Sequence, residues 1–353
     1  MVGISLLTLV PGVVGGSETY VRELCRALAR VGELEYRVFA PSLAPEAGAP
    51  LPSTTVGSYR ASRSTPGRVA AMTRAALLPR ALRRELRLDE LEAIHFPLSV
   101  MLPPVARPPA VTTMHDLQHE AFPDFFSRGE LAYRRLVYRR TARASRLLVA
   151  PSAFVARTLA ERFDLAPDRV RAIHHGIDHE RFRPDGRARG DFLLYPANRW
   201  PHKNHERLFE ALALLRRSRP GLTLVLTGSG HEGRRVPAGV EVRGHVPPAE
   251  LADLYRSAAA LVFPSLYEGF GAPPLEAMAC GCPVAASGAT ALPEVVGDAA
   301  VLFDPASPEA IAEGVERALG DPALPARGLE RAAGFTWEAS ARAHEAAYRE
   351  LGA

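Results

Sequence analysis

The stretch Phe263-Pro264-Ser265-Leu266-Tyr267-Glu268-Gly269-Phe270-Gly271-Ala272-Pro273-Pro274-Leu275-Glu276-Ala277-Met278 decides the fold. An apolar run over 260–264 reads as a buried strand, a loop punctuated by glycine follows, and Pro273 and Pro274 stand where a helix begins. A strand, a glycine loop and a helix N-terminus in that order form the α/β unit that aims free backbone N–H groups and the positive end of a helix dipole at an anion such as a diphosphate. Glu268 falls in the loop and Glu276 is expected in the first helical turn, so the two carboxylates would face one ligand from different directions. The plain alternative makes Glu276 a complement to the helix dipole and Glu268 a loop surface residue.

The same alternation of short apolar runs and helical patterns extends to both ends of the chain, which points to parallel α/β sheets. Strands are expected over 4–10, 36–40, 93–96, 110–114, 147–151 and 170–174, and again over 192–195, 222–227, 240–243, 260–264, 284–286 and 301–303. Two similar sets lie end to end. The break is expected within 178–191, an Arg/Asp-rich stretch interrupted by Pro184, Gly186 and Gly190 that reads as a linker. The expectation is two doubly wound domains facing across a cleft, 1–180 and 181–336, with 337–353 carrying an amphipathic helix. Residues 42–67, rich in Pro, Ala, Gly and Ser, read as a mobile surface loop.

A second motif, Tyr195-Pro196-Ala197-Asn198-Arg199-Trp200-Pro201-His202-Lys203-Asn204, again carries a strand into a helix. Arg199 offers a planar fork for phosphate oxygens, and Lys203 is a compact charge that sits between two phosphates. Of 43 basic side chains Lys203 is the only lysine, which marks a position where arginine does not serve. Two cations facing a diphosphate leaving group would stabilise it without a metal. Two solvated cations at a helix start are the alternative.

In the first half, Pro11-Gly12-Val13-Val14-Gly15-Gly16-Ser17-Glu18 follows the first strand. Gly15 and Gly16 permit close approach of backbone N–H groups to a ligand, and a tight turn with Ser17 as N-cap explains them almost as well. His115 and Asp116 stand at another strand end. His115 suits a hydrogen bond to a sugar hydroxyl, with Asp116 ordering the local turn; a metal on His115 and His119 lacks further ligands nearby. Gly228-Ser229-Gly230-His231-Glu232-Gly233 fits the dinucleotide pattern, but Pro237 and a strand near Val240 leave no room for the crossover helix. These glycines are read instead as keeping a loop close to a nucleotide.

Composition bounds the rest. The 353 residues are 47% hydrophobic and 23% charged, an ordinary globular balance, and no run reaches the ~18 to 20 apolar residues of a membrane span. Residues 1–10 lack the basic flank of a signal peptide, so a soluble cytoplasmic protein is expected. Cys25, Cys280 and Cys282 are too few and too scattered for a disulfide framework or a zinc site. The net charge of +4 hides a basic first half, with Arg74, Arg80, Arg83, Arg84 and Arg87 on one expected helix and Arg134, Arg135, Arg139, Arg140, Arg143 and Arg146 on another. These are read as solvated faces, or else as a contact with the anionic inner face of a membrane or with an acidic ligand. No aromatic platform accompanies them, which argues against nucleic acid.

Taken together, Gly15-Gly16, His115-Asp116, the turn Gly176-Ile177-Asp178, Arg199 with Lys203-Asn204, Gly244-His245-Val246, and Glu268 with Glu276 resemble the retaining GT-B glycosyltransferases of family 4. The resemblance runs in the same order over nearly the whole chain. It implies two Rossmann-like domains, the C-terminal one binding a UDP-, GDP- or ADP-sugar and the N-terminal one a saccharide or lipid-linked acceptor, with no catalytic metal and no other cofactor. It also implies a terminal helix that returns to the first domain. By the same resemblance Glu268 lies beside the donor sugar within the loop Gly269, Phe270 and Gly271, Glu276 holds the ribose, Arg199 and Lys203 hold the diphosphate, and His115 contacts the sugar. Gly244 and His245 would border the base, and Gly15 and Gly16 the phosphates or acceptor. The activity implied is hexosyl transfer, mannosyl among the options, in glycan or polysaccharide synthesis. A sugar-nucleotide epimerase, a phosphorylase and a non-catalytic nucleotide-sugar-binding protein are the alternatives.

Overall fold

The computed structural model describes residues 1–13, 15–60, 62–233 and 235–353; Val14 of the glycine loop and Ala61 of the 42–67 stretch lie outside the described residues. The chain divides into two compact units, Met1–Gly176 with Trp337–Ala353, and Ile177–Thr336. The first unit therefore ends at Gly176, before the boundary at 180 expected from the sequence.

The strands of the first unit are β1 (Val2–Ser5), β2 (Tyr36–Pro41), β3 (Ser53–Val56), β4 (Ala93–Phe96), β5 (Ala110–Thr113), β6 (Leu147–Ala150) and β7 (Val170–Ala172). Among the described residues they form a seven-stranded parallel sheet in the order β3-β2-β1-β4-β5-β6-β7. Its helices are α1 (Gly16–Val31), α2 (Thr65–Leu77), α3 (Pro79–Glu85), α4 (Gln118–Ala121), α5 (Arg128–Ala144) and α6 (Ala153–Phe163). The second unit carries β8 (Phe192–Pro196), β9 (Thr223–Thr227), β10 (Val240–Val242), β11 (Ala260–Phe263), β12 (Val284–Ser287) and β13 (Val301–Phe303), parallel in the order β10-β9-β8-β11-β12-β13. With it come α7 (His205–Ser218), α8 (Pro248–Ser257), α9 (Ala272–Ala279), α10 (Leu292–Val296), α11 (Pro308–Gly320) and α12 (Leu324–Ala333), before α13 (Trp337–Arg349) closes the chain.

Both strand orders reverse once, between β1 and β4 and between β8 and β11. Loops leave the carboxyl ends of these strands in opposite directions, so a crevice opens there and ligands of open α/β sheets collect in it. The central strands are buried on both faces: Leu193, Leu194, Tyr195, Leu261, Val262 and Phe263 are all fully enclosed, as parallel strands covered by helices on either side must be.

Three expectations are corrected. The stretch 42–67 holds β3, whose Ser-Thr-Thr sequence lacks the apolar run of a central strand because its first three residues are exposed at the sheet edge. The stretch 178–191 is no free linker. Arg189 donates to the carbonyls of Tyr255, Ala258 and Cys280 at 3.1, 2.9 and 3.3 Å, and the Gly190 N–H donates to Ser257 O at 2.6 Å, so the segment caps the C-termini of α8 and α9. The first strand ends at Ser5, and Leu6–Val10 already belong to the loop that follows it.

Helix α13 belongs to the first unit and lies on α1. Glu345 is its buried anchor, accepting hydrogen bonds from the Tyr36 hydroxyl at 2.6 Å and the Glu33 N–H at 2.8 Å and pairing with Arg349 at 2.7 Å. Those partners hold its carboxyl below the usual range against the opposing effect of burial.

Candidate functional site

The two motifs singled out from the sequence meet at the β8/β11 switch point. From β8 the chain passes through Arg199 and a short 3-10 turn, Pro201–Lys203, to Asn204, which takes a left-handed conformation (φ 61°, ψ 36°) and opens α7. Asparagine tolerates that conformation better than most residues. Its side-chain amide donates to Pro264 O at 3.0 Å and Pro305 O at 2.7 Å, fastening the start of α7 to the loops after β11 and β13. The Leu266 N–H joins the loops after β8 and β11 by donating to His202 O at 2.7 Å, and the Tyr195 hydroxyl of β8 donates to Lys203 O at 2.7 Å, holding the 3-10 turn to its own strand.

Lys203 and Glu268 are thereby brought together. The Lys203 Nζ stands 2.5 Å from Glu268 Oε1, both side chains nearly enclosed at 14% and 13% exposure, and 5.4 Å above the Phe263 ring. The Glu268 N–H donates to the Thr290 hydroxyl at 3.0 Å, which holds the carboxylate's own backbone in place. Gly271 then turns the chain into α9 at φ 92°, a conformation that favours glycine, and a Cβ there would stand 2.5 Å from Leu292 Cδ2. Pro273 and Pro274 occupy the first turn of α9. Phe270 is buried against Phe335.

Each of these two cations has a carboxylate partner. Arg199 pairs with Glu206 in the first turn of α7. Its Nη1 is buried with no hydrogen-bond partner among the described residues. Lys203 has three N–H donors, one of which meets Glu268.

Glu276 lies in the second turn of α9, not the first. It therefore does little for the exposed N–H groups at the helix start, and its Oε2 accepts from the Tyr255 hydroxyl at 2.9 Å instead. Burial pushes its carboxyl up to about 7, with Asp178 raising it further while Tyr255 and Arg181 oppose the rise.

The Gly228-Ser229-Gly230 loop is a support for the Arg199 segment. Ser229 N–H donates to Asn198 Oδ1 at 2.7 Å, Arg199 N–H to Ser229 O at 2.9 Å and Gly228 N–H to Gly244 O at 2.7 Å. A Cβ on Gly228 would stand 2.7 Å from the Ala197 carbonyl carbon, so this position closes the loop on the strand end. Gly244 adopts φ 64° beside it, and His245 is exposed.

In the first unit Gly15 caps α1 at φ 56°, and Gly16 is the first helical residue with open space where a Cβ would be. Ser17 is inside the helix and supplies no cap. Glu18 instead accepts from the Gly12 N–H at 2.9 Å while pairing with Arg22 at 3.0 Å. His115 follows β5 and donates through Nε2 to Pro97 O at 2.8 Å, which leaves Nδ1 as the acceptor of the neutral ring; burial lowers its basicity. Asp116 accepts from Gln118 N–H at 3.0 Å and shapes the local turn. His119 is fully buried, and among the described residues no group of three or more His, Cys, Asp or Glu is placed to hold a metal.

Sequence reading gave no role to Asn204, Tyr255 or Thr290. An asparagine immediately before an apolar helical pattern was a readable signal for the first; the other two come from distant elements and had none.

Two doubly wound units, each a parallel sheet with one reversal of strand order, define the class of two-domain α/β proteins with the GT-B fold. The description Glycosyl transferases group 1 matches residues 177–334, and Glycosyltransferase Family 4 matches residues 14–181. The chain is 32% identical to the O-antigen chain mannosyltransferase B of Escherichia coli over 65% of its own length and 67% of that protein. It is 32% identical to a D-inositol 3-phosphate glycosyltransferase of Frankia alni over 96% and 95%. Among solved structures, a sucrose-phosphate synthase of Thermosynechococcus elongatus superposes with a TM-score of 0.75 at 20% identity, covering 99% and 98% of the two chains. Anabaena HepE in complex with UDP and glucose gives 0.71 at 17% identity, covering 99% of each. The chain belongs to glycosyltransferase family 4, a class of enzymes that work on nucleotide-sugar donors.

Proposed function

We propose that the chain transfers a hexosyl group, mannosyl being the sugar that its relatives' names favour, from a nucleotide-diphospho-sugar to a saccharide or lipid-linked acceptor with retention at the anomeric carbon. The observation that carries this reading is the spare hydrogen-bonding capacity of two cations at one switch point: the unpartnered Arg199 Nη1 and the remaining Lys203 donors. A diphosphate accepts from both. The donor's bond from the anomeric carbon to the β-phosphate oxygen breaks, and the acceptor oxygen bonds to that carbon on the same face. The acceptor's proton passes to the departing phosphate oxygen, giving a nucleoside diphosphate. Lys203, Arg199 and the N–H groups at the start of α9 stabilise the charge that develops on the diphosphate. Glu268 lies beside the sugar, Glu276 accepts from the ribose hydroxyls, His115 accepts from a sugar hydroxyl through Nδ1, and Gly244 and His245 border the base. Gly15 and Gly16 face the phosphates or the acceptor. Lys203→Ala and Glu268→Ala, each checked for an unchanged fold by circular dichroism, should lose roughly a hundredfold or more in turnover with EDTA present. Near-normal rates in both would reject this site.

A lipid-linked acceptor is favoured by one surface of the first unit. Leu77 and Leu78 are 73% and 69% exposed between α2 and α3, among Arg74, Arg80 and Arg84. The Tyr133 hydroxyl of α5 reaches Met72 Sδ at 3.4 Å, which sets α5, with its exposed Leu136, beside α2 in the same unit. Apolar side chains set among arginines match the boundary of an anionic bilayer. Co-sedimentation with phosphatidylglycerol vesicles at low salt tests it: binding should be lost in Leu77→Asp/Leu78→Asp, and absence of binding by the unaltered chain would dispose of it.

A further inference from the structure

The first unit contains a buried chain of hydrogen bonds whose direction is set by a single carbonyl. His344 Nδ1 stands 2.8 Å from Ser340 O, and a carbonyl only accepts, so Nδ1 carries the proton and Nε2 is the acceptor. The Tyr20 hydroxyl, 2.9 Å away, must donate to it. Tyr20 oxygen then accepts from Thr113 Oγ1 at 2.9 Å, Thr113 accepts from His95 Nε2 at 2.8 Å, and His95 Nδ1 accepts from the Tyr348 hydroxyl at 2.8 Å. Both ends of the chain lie on α13, while its middle runs through α1, β5 and β4. Tyr20, His95, Thr113, His344 and Tyr348 are all buried.

Tyr20 is the link between His344 and Thr113 in this chain and also lies against His115. The two rings meet edge to face at 5.0 Å and 80°, and the Tyr20 ring stacks on His175 at 4.5 Å and 22°. Thr113, bonded to the Tyr20 hydroxyl, is two residues from His115 on the same strand end. His115 is otherwise held through Pro97 O and, by its own N–H, through Ser99 Oγ at 3.3 Å.

We infer that Tyr20 is a positioning residue for His115, and that α13, through His344, fixes Tyr20 and so sets the orientation of the His115 ring. The terminal helix is then part of the machinery that presents an acceptor nitrogen to the sugar, and the inference rests on the role proposed above for His115. Tyr20 is thus tied at once to α13 through its hydroxyl and to His115 through its ring, so a change at either end reaches the other.

The test reads His115 itself. The titratable groups around it are Asp116 in its own loop, Tyr20 on α1, His175, and His95 on β4. The Hε1–Cε1 resonance of His115, assigned with His115→Asn, is followed from pH 8 to pH 5 in the full-length chain and in Tyr20→Phe, Tyr20→Leu and His344→Leu. Burial lowers the ring below its ordinary value of 6.5 in the parent. In Tyr20→Leu and His344→Leu the titration should move up toward that value and the resonance should shift or broaden, with kcat falling roughly tenfold to a hundredfold and donor KM little changed. Tyr20→Phe, which keeps the ring and the fold, should show the same direction to a smaller extent. If the resonance and titration of His115 are unchanged in every folded variant, the inference is overturned. If they move and kcat does not, Tyr20 still positions His115, and it is the proposed role of His115 in transfer that fails.

Discussion

The Lys203 ammonium lies 2.5 Å from the Glu268 carboxylate, joining the loop after β8 to the loop after β11 through a nearly enclosed ion pair. A diphosphate that approaches Lys203 therefore shares it with a carboxylate. Glu268→Gln frees the cation without altering the shape of the loop, so a nucleoside diphosphate should bind at least as tightly as before while turnover falls roughly a hundredfold. Isothermal titration and initial rates on the same preparation separate the two effects.

Glu276 gives a trade between stability and binding. Its carboxyl is raised from 4.5 to about 7 by burial, so between those values the native state holds a proton that the unfolded chain has lost, and stability falls as pH rises through the window. The cost is complete above about pH 7. Glu276→Gln removes it, and should stabilise the protein at pH 8 by about 1 to 3 kcal/mol, with no gain at pH 4. Nucleotide affinity should fall about tenfold in the same variant, because a charged acceptor for the ribose is lost. Melting curves at the two pH values, with and without nucleotide, check both halves.

Asn204 holds two carbonyls from distant loops at a left-handed position. Asn204→Gly keeps the backbone conformation and strands both carbonyls, a cost of roughly 2 to 4 kcal/mol. Asn204→Ala loses the same bonds and adds about 1 to 2 kcal/mol of backbone strain. Chemical denaturation should rank the parent above Gly and Gly above Ala.

Acid should weaken the first unit through its buried histidines. His344 is lowered from 6.5 to about 4 by burial, and His95 and His175 are lowered as well, by burial first and then by the neighbouring imidazoles of His344 and His115. The unfolded chain takes up protons below pH 6.5 that the native state refuses, so stability is lost as pH falls from 6.5 toward 4, by about 3 kcal/mol for His344 alone. His344→Gln should flatten that slope, as read from melting temperatures across the range.

The alternation of apolar runs made twelve strand positions readable, and the glycine loops and prolines located both motifs at the β8/β11 switch point. Edge strand β3 escaped because an edge needs no apolar run, and its Ser-Thr-Thr sequence resembles a loop. The capping role of 178–191 escaped because Arg189 works through carbonyls at the ends of α8 and α9, remote in sequence. Single residues gave their chemistry but not their partners. Lys203 was legible as an isolated lysine, whereas its pairing with Glu268, the Tyr255 bond to Glu276 and the Tyr20 relay depend on which elements the sheet order makes neighbours.

The central claim is that Lys203 and Arg199 form the diphosphate seat of a donor nucleotide. Its most direct measurement is the melting temperature with UDP, GDP and ADP in the presence of EDTA, for the parent and for Lys203→Ala, since a ligand that binds only the folded state raises it with occupancy. The account predicts a shift of several degrees for one nucleotide over the others, abolished in Lys203→Ala. No shift with any of the three, or an equal shift in Lys203→Ala, would contradict it.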